Sequence, residues 1–108
     1  MEMNIKTNGS EMVVSLDGRL DTSTAPEMEK NLGPQLEGID SLILDFEKLH
    51  YISSAGLRVL LSTQKKMNAK KGTMVIRNVN EMNMEVFEVT GFLDILTVEN
   101  GYTGGRKD

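Results

Sequence analysis

The amino-acid sequence predicts an α/β domain (α+β by some schemes) in which helices pack against a sheet with parallel neighbouring strands. An Asn-Gly pair between two strand-like segments near the start predicts an opening β-hairpin. After it, patterns typical of helices and strands alternate, giving the order β-β-α-β-α-β-α-β. The length of 108 residues suits one domain.

The opening hairpin is predicted from strands Asn4–Thr7 and Met12–Leu16, which flank Asn8-Gly9. Both residues of this pair tolerate positive φ angles, as tight hairpin turns require. Alternate residues of the second strand are apolar and therefore share one face. We expect Asp17-Gly18-Arg19 to end this strand.

The first helix is predicted to begin within Leu20–Glu27. Thr24 and Glu27 have the spacing of a capping box, and Pro26 is tolerated in a first helical turn. Gly33-Pro34 should end or kink the helix, because proline interrupts the backbone hydrogen bonds, although Leu36 continues its apolar stripe. The apolar positions predicted to face the core are Ala25, Met28 and Leu32.

A buried strand and a second helix follow. Leu42–Leu44 is continuously apolar, as expected for a central strand that is covered on both faces. The second helix is predicted to begin near Ala55 and to end near Lys71-Gly72. Thr73–Arg77 predicts a further strand. The positions with helical spacing in the second helix are Leu57, Leu60, Leu61, Gln64 and Met67.

The C-terminal part of the chain predicts a third helix and a last strand. Asn80 suits the N-cap of this helix, and Gly91 suits the position after its end, with Phe92 supplying the accompanying apolar contact. Asp94–Val98 predicts the strand, and residues 99–108 predict a flexible tail. The apolar positions of the third helix are Met82, Val86 and Val89.

Composition excludes several classes of function. The chain has no cysteine and one histidine, His50, which excludes thiol catalysis, disulfides and histidine-rich metal sites. A net charge of −4 argues against a general nucleic-acid surface. No apolar run is long enough to insert in a membrane, and we expect a cytoplasmic protein. The nearest approach to a basic cluster, interpreted as a solvated helix end, is Lys65, Lys66, Lys70 and Lys71.

Two adjacent serines, Ser53 and Ser54, lie at the predicted turn between the central strand and the second helix. One of them could cap the helix, because serine is among the best N-cap residues. A second interpretation is a phosphoacceptor, because a helix N-terminus supplies free N–H groups to a phosphate. A third is a serine nucleophile, as in Gly-x-Ser-x-Gly. Ile52 stands where the first glycine of that motif belongs, which disfavours the third interpretation.

Gly56 in the first helical turn is unexpected, because glycine destabilises a helix relative to alanine. We interpret it as leaving room for a partner to approach this surface closely.

Several motifs of the chain resemble the STAS family, which includes the anti-sigma-factor antagonists of bacteria. They are Leu16-x-Gly-Arg-Leu-Asp21, Leu44-Asp-Phe46, Leu49-x-Tyr-Ile-Ser-Ser-Ala-Gly-Leu57 and Thr90-Gly91-Phe92. The resemblance implies a single domain over residues 3–98, with a mixed sheet of four to five strands and helices packed mainly on one face.

The resemblance also implies a function. In the antagonists, an anti-sigma factor that is itself a serine kinase phosphorylates a serine that corresponds to Ser54. The unphosphorylated antagonist binds the kinase and releases sigma factor, the phosphorylated form dissociates, and a serine phosphatase resets it. The protein would not be an enzyme, and ATP and magnesium would belong to its partners, so no cofactor of its own is expected. Ser53 stands where many relatives carry aspartate.

The residues that the resemblance implies for partner binding form two groups. They are Asp21, Thr22 and Ser23 before the first helix, and Ser53, Ser54, Ala55, Gly56, Leu57 and Arg58 at the start of the second. An alternative within the same family is the small STAS subunit of a lipid-transport ABC complex, which binds the transporter ATPase.

Overall fold

A computed structural model describes residues 1–99 and shows a five-stranded sheet with three helices. The elements are β1 (Glu2–Asn8), β2 (Glu11–Leu20), α1 (Ala25–Leu32), a 3₁₀ turn (Gly33–Leu36), β3 (Ser41–Ile52), α2 (Ser54–Ala69), β4 (Thr73–Arg77), α3 (Glu81–Thr90), a 3₁₀ turn (Phe92–Asp94) and β5 (Thr97–Glu99). The strands are ordered in the sheet as in the chain. β1 and β2 are antiparallel, and the later pairs are parallel. The predicted element order and mixed sheet are confirmed.

The main core lies on one face of the sheet, to which β2 contributes alternate apolar residues. Met12, Val14 and Leu16 of β2 are at most 2% exposed, whereas Val13 and Ser15 between them are half-buried. All three helices contribute to the same buried cluster, which confirms helices packed mainly on one face. The helical residues in it include Ala25, Met28 and Leu32 of α1, Leu57, Leu60 and Met67 of α2, and Phe87 of α3.

The hairpin forms as predicted, but its turn lies one residue later than the Asn-Gly pair suggests. Asn8 still pairs with Glu11, so the two-residue loop is Gly9-Ser10. Gly9 has a φ of +64°, whereas Asn8 and Ser10 remain at negative φ. The glycine therefore supplies the positive φ angle of the turn.

The expectation that Asp17-Gly18-Arg19 ends the second strand is wrong. β2 continues to Leu20 and keeps its pairing with β3 through two register shifts, between Ser15 and Asp17 and between Gly18 and Arg19. Gly18 has a φ of +117°, which L-residues rarely adopt. A glycine that normally breaks a strand here permits an irregularity within it.

The third helix forms with its predicted caps, but of its three predicted core residues only Val86 packs against the core. The Asn80 side chain accepts a hydrogen bond from Asn83 N–H, and Gly91 follows the helix at a φ of +78°. The residues that point inward are Asn83 and Phe87, whereas Met82 and Val89 are 56% and 80% exposed. Two contacts orient the helix this way: Asn83 Nδ2 donates to the Leu49 carbonyl at 3.1 Å, and the rings of Phe87 and Phe46 lie 6.3 Å apart.

The last strand is shorter than predicted and begins at Thr97 instead of Asp94. The amides of Ile95 and Leu96 both donate to the Phe92 carbonyl, so this segment is held in a helical turn. The predicted tail, residues 99–108, lies outside the described residues apart from Glu99, which ends β5. Within residues 1–99, no helix is long and apolar enough to cross a membrane.

Candidate partner-binding site

The candidate site lies where β2 and β3 end side by side at their carboxyl ends. Leu20 and Ile52 are paired residues, and Ser53 N–H donates to the Leu20 carbonyl at 2.9 Å. The chain leaves β2 towards α1 and leaves β3 directly into α2. The two groups of residues expected to bind a partner therefore lie next to each other.

The two serines have different roles at the start of α2. Ser53 is the N-cap: its backbone is extended, and its Oγ accepts a long hydrogen bond of 3.5 Å from Gly56 N–H. Ser54 is the first residue of the helix and is exposed. The cap therefore uses Ser53 and leaves the Ser54 hydroxyl available for chemistry.

The interpretation of Gly56 as room for a partner is wrong. Gly56 is buried, and a Cβ placed on it would lie 2.7 Å from Ile52 Cγ1 and 2.8 Å from Leu20 Cγ. The close approach is therefore internal, between α2 and the ends of β2 and β3. Leu57 is also buried, at 5% exposure, so neither of these two side chains is available to a partner.

The turn before α1 is organised by Asp21. Its Oδ1 accepts hydrogen bonds from the Ser23 hydroxyl at 2.8 Å and the Ser23 N–H at 3.0 Å, and a longer one from Thr24 N–H at 3.3 Å. Thr24 precedes the helix, but its hydroxyl donates to the Arg19 carbonyl and accepts from Asp21 N–H. The predicted capping box with Glu27 does not form, because the threonine hydroxyl faces back towards the strand.

These hydrogen bonds lower the pKa of Asp21 below its ordinary value of 3.8, with the Ser23 hydroxyl the largest cause. The carboxylate therefore stabilises the folded state above its unfolded-state pKa, and this contribution is lost as the pH falls through the folded-state pKa. We expect Asp21→Asn to lower the melting temperature near neutral pH and the difference from wild type to shrink below about pH 4. Thermal unfolding followed by circular dichroism across this range tests it, and a difference independent of pH would contradict it.

A shallow groove of about 300 Å³ joins the two halves of the site. It is lined by Thr22, Ala25, Pro26, Glu29, Ala55, Arg58 and Val59. Thr22, Ala55 and Arg58, predicted from both groups, are thus brought together. Pro26 and Glu29 were missed, although their spacing on α1, beside the expected contact turn, was the available signal.

Arg19 is a third residue of this region that was not predicted from the sequence. Its guanidinium carbon lies 4.7 Å from the centroid of the Tyr51 ring, and its Nε lies 3.7 Å from Asp21 Oδ2. Arg19 and Tyr51 are paired residues of β2 and β3. The signal for Arg19 in the sequence was its position two residues before Asp21 in the motif Leu16-x-Gly-Arg-Leu-Asp21.

A nucleophile would need a base oriented towards Ser54. His50 is exposed on β3. Among the hydrogen bonds of residues 1–99, none joins the side chains of His50 and Ser54. The geometry of a Ser-His pair is therefore not formed in this part of the chain.

Comparison with known protein families matches residues 2–103 to the STAS domain. The chain belongs to the STAS family. It is 31% identical to the anti-sigma-B factor antagonist of Staphylococcus aureus over 104 residues, which covers 94% of this chain and 96% of that protein. It is 37% identical over 90 residues to BtrV of Bordetella bronchiseptica, a candidate anti-sigma factor antagonist, covering 82% and 78% of the two chains.

Solved STAS structures have the same fold. The anti-sigma factor antagonist SpoIIAA in its unphosphorylated form superposes with a TM-score of 0.74 at 16% identity, over 95% of this chain and 92% of that one. A STAS domain protein from Planctomyces limnophilus superposes with a TM-score of 0.82 at 15% identity, over 94% and 92%. The STAS match includes every predicted site residue.

Proposed function

We propose that this protein is an anti-sigma factor antagonist that is switched by phosphorylation of Ser54. The observation that carries the proposal is the exposed Ser54 hydroxyl at the first position of α2, beside a capping serine that already completes the helix. A kinase can reach this hydroxyl without unfolding the turn.

The N-terminus of α2 suits a phosphate. Its first turn contains no acidic side chain, and the free N–H groups there favour negative charge. Gly56 and Leu57 hold the turn against the sheet from inside, so the modification would change the surface and leave the core intact. This suits a switch that acts through a partner.

The partner in this proposal is an anti-sigma factor with serine kinase activity, which binds the unphosphorylated form and releases sigma factor. The contact surface is the groove that joins Thr22 to Ala55 and Arg58. Phosphorylation would end the contact, and a serine phosphatase would restore it. The protein would act by binding, without catalysis or a cofactor of its own, in the cytoplasm where sigma factors meet RNA polymerase.

The relatives support this reading over that of an ABC-transporter subunit. The Bacillus subtilis protein that is 27% identical over 105 residues is an anti-sigma-B factor antagonist. SpoIIAA has been solved in its phosphorylated form as well, with a TM-score of 0.72 to this chain.

Incubation with the cognate kinase and ATP tests the assignment. We expect one phosphate per wild-type chain by intact mass, none on Ser54→Ala, and one on Ser53→Ala. The last variant is the matched control, because it removes the neighbouring hydroxyl at a cost of about 1 kcal/mol of cap stability. Two results would contradict phosphorylation at Ser54. One is that Ser54→Ala takes up as much phosphate as the wild type. The other is that a folded Ser53→Ala takes up none while Ser54→Ala still does.

A further inference from the structure

The outward face of α3 carries exposed apolar side chains among acidic ones. Met82 and Val89 lie two helical turns apart on the same side of α3 and are 56% and 80% exposed. The glutamates beside them, all exposed, are Glu81, Glu85 and Glu88. The helix contains no lysine or arginine, so this face is acidic and apolar.

The outward face of α2 has the opposite charge. The helix contains no aspartate or glutamate, and Arg58, Lys65 and Lys66 are exposed on it. A surface groove of about 490 Å³ runs between these cations and is lined by Leu61 and Ala69 as well. This face is therefore basic with apolar side chains between its charges.

Within residues 1–99, no ion pair neutralises either face. Across the described part of the chain, ion pairs within 4.0 Å join Arg19 to Asp21 and Arg77 to Glu99, and none involves α2 or α3. Lys70 differs from its neighbours, because its ammonium donates to the Leu36 carbonyl. No such bond to Arg58, Lys65 or Lys66 occurs among the described residues, so these cations can meet an acidic surface.

We propose that α3 of one copy docks in the α2 groove of a second copy. Met82 and Val89 would cover Leu61 and Ala69, and the glutamates would lie opposite the groove cations. Complementary charge and apolar surface on one chain are the features that select a second copy as the occupant. Because the two faces differ, the contact is head-to-tail, and an open assembly keeps a free α2 face at one end and a free α3 face at the other.

Such a contact is small and charged, so the association should be weak and salt-dependent. We expect the weight-average mass of the full, unphosphorylated chain to rise with concentration in sedimentation experiments at low salt. The apparent dissociation constant should increase at least about tenfold between about 0.05 M and 0.5 M salt. A constant monomer mass at every concentration and salt level would overturn the proposal.

Charge exchange provides the sharper test. Lys65→Glu with Lys66→Glu makes both faces acidic, and Glu85→Lys with Glu88→Lys makes both faces basic. Each double variant alone should remain monomeric, and an equimolar mixture should associate, because each altered face then meets its complement. A mixture that stays monomeric would overturn the proposal.

The matched control is Lys6→Glu with Lys48→Glu, which changes the net charge equally at exposed sites on β1 and β3. The control should associate as the wild type does. If it lost self-association as fully as the variant with Lys65→Glu and Lys66→Glu, the loss would come from net charge, and the docking proposal would be overturned. These measurements contain no kinase, so their outcome is independent of the phosphorylation of Ser54.

Discussion

Replacement of Gly56 by alanine is expected to lower the free energy of unfolding by about 1–2 kcal/mol. Exchanging glycine for alanine inside a helix usually stabilises it by up to about 1 kcal/mol, so the expected sign is reversed. The reason is that the new Cβ would meet Ile52 Cγ1, Leu20 Cγ and, at 3.0 Å, the Leu20 carbonyl oxygen. These atoms belong to fully buried residues at strand ends, and overpacking of this kind costs about 1–3 kcal/mol.

Gly33→Ala is the control for this prediction. A Cβ on Gly33 would lie 3.2 Å from Lys66 Nζ, which is the far end of a flexible side chain and can move away. We expect the free energy of unfolding of this variant to be within about 1 kcal/mol of the wild-type value, or higher than it. Urea unfolding followed by circular dichroism compares the two. Equal midpoints for both variants would contradict the internal role of Gly56.

Ser54→Asp is expected to fold normally and to bind the cognate kinase at least about tenfold more weakly, a loss of about 1.4 kcal/mol. The added charge lies at the exposed first position of α2, where it disturbs no buried contact. Aspartate carries less charge than a phosphate and fewer acceptor oxygens, so the phosphorylated protein should lose more affinity.

Ser10→Asp is the control that separates the effect of a charge at position 54 from the effect of the change in net charge. Ser10 is exposed in the loop before the amino end of β2, whereas Ser54 follows the carboxyl end of the parallel strand β3, and the substitution adds the same charge. Isothermal titration calorimetry should show wild-type affinity for it. If both aspartate variants bound equally well, the switch would not act through charge at Ser54.

The strands and helices were predictable from sequence where local pattern and packing agree. Thr73–Arg77 was predicted with its observed bounds, and Asn80 and Gly91 cap α3 as expected. Several of the failures come from tertiary contact. Gly18 breaks strands in general, yet pairing with β3 carries β2 past it.

The same cause explains what the sequence could not provide about the site. Met82 and Val89 were predicted to face the core with Val86, but the helix, held by the hydrogen bond of Asn83 to Leu49, leaves both exposed. From position alone, either serine could cap α2, and the hydrogen bond from Gly56 N–H to Ser53 Oγ identifies Ser53 as the cap. Thr22 and Arg58 line the same groove because Leu20 pairs with Ile52, and these paired residues are more than thirty positions apart in the chain.

The absence of acidic side chains from the first turn of α2 has a consequence for proton binding. A phosphate on Ser54 would sit at the positive end of the helix, one turn from the exposed Arg58, and both favour its doubly ionised form. Its second ionisation, ordinarily near pH 6, should therefore shift to lower pH. The phosphate would then stay doubly ionised throughout the physiological pH range, so a modest fall in cellular pH would not change the charge of the phosphorylated protein at this site.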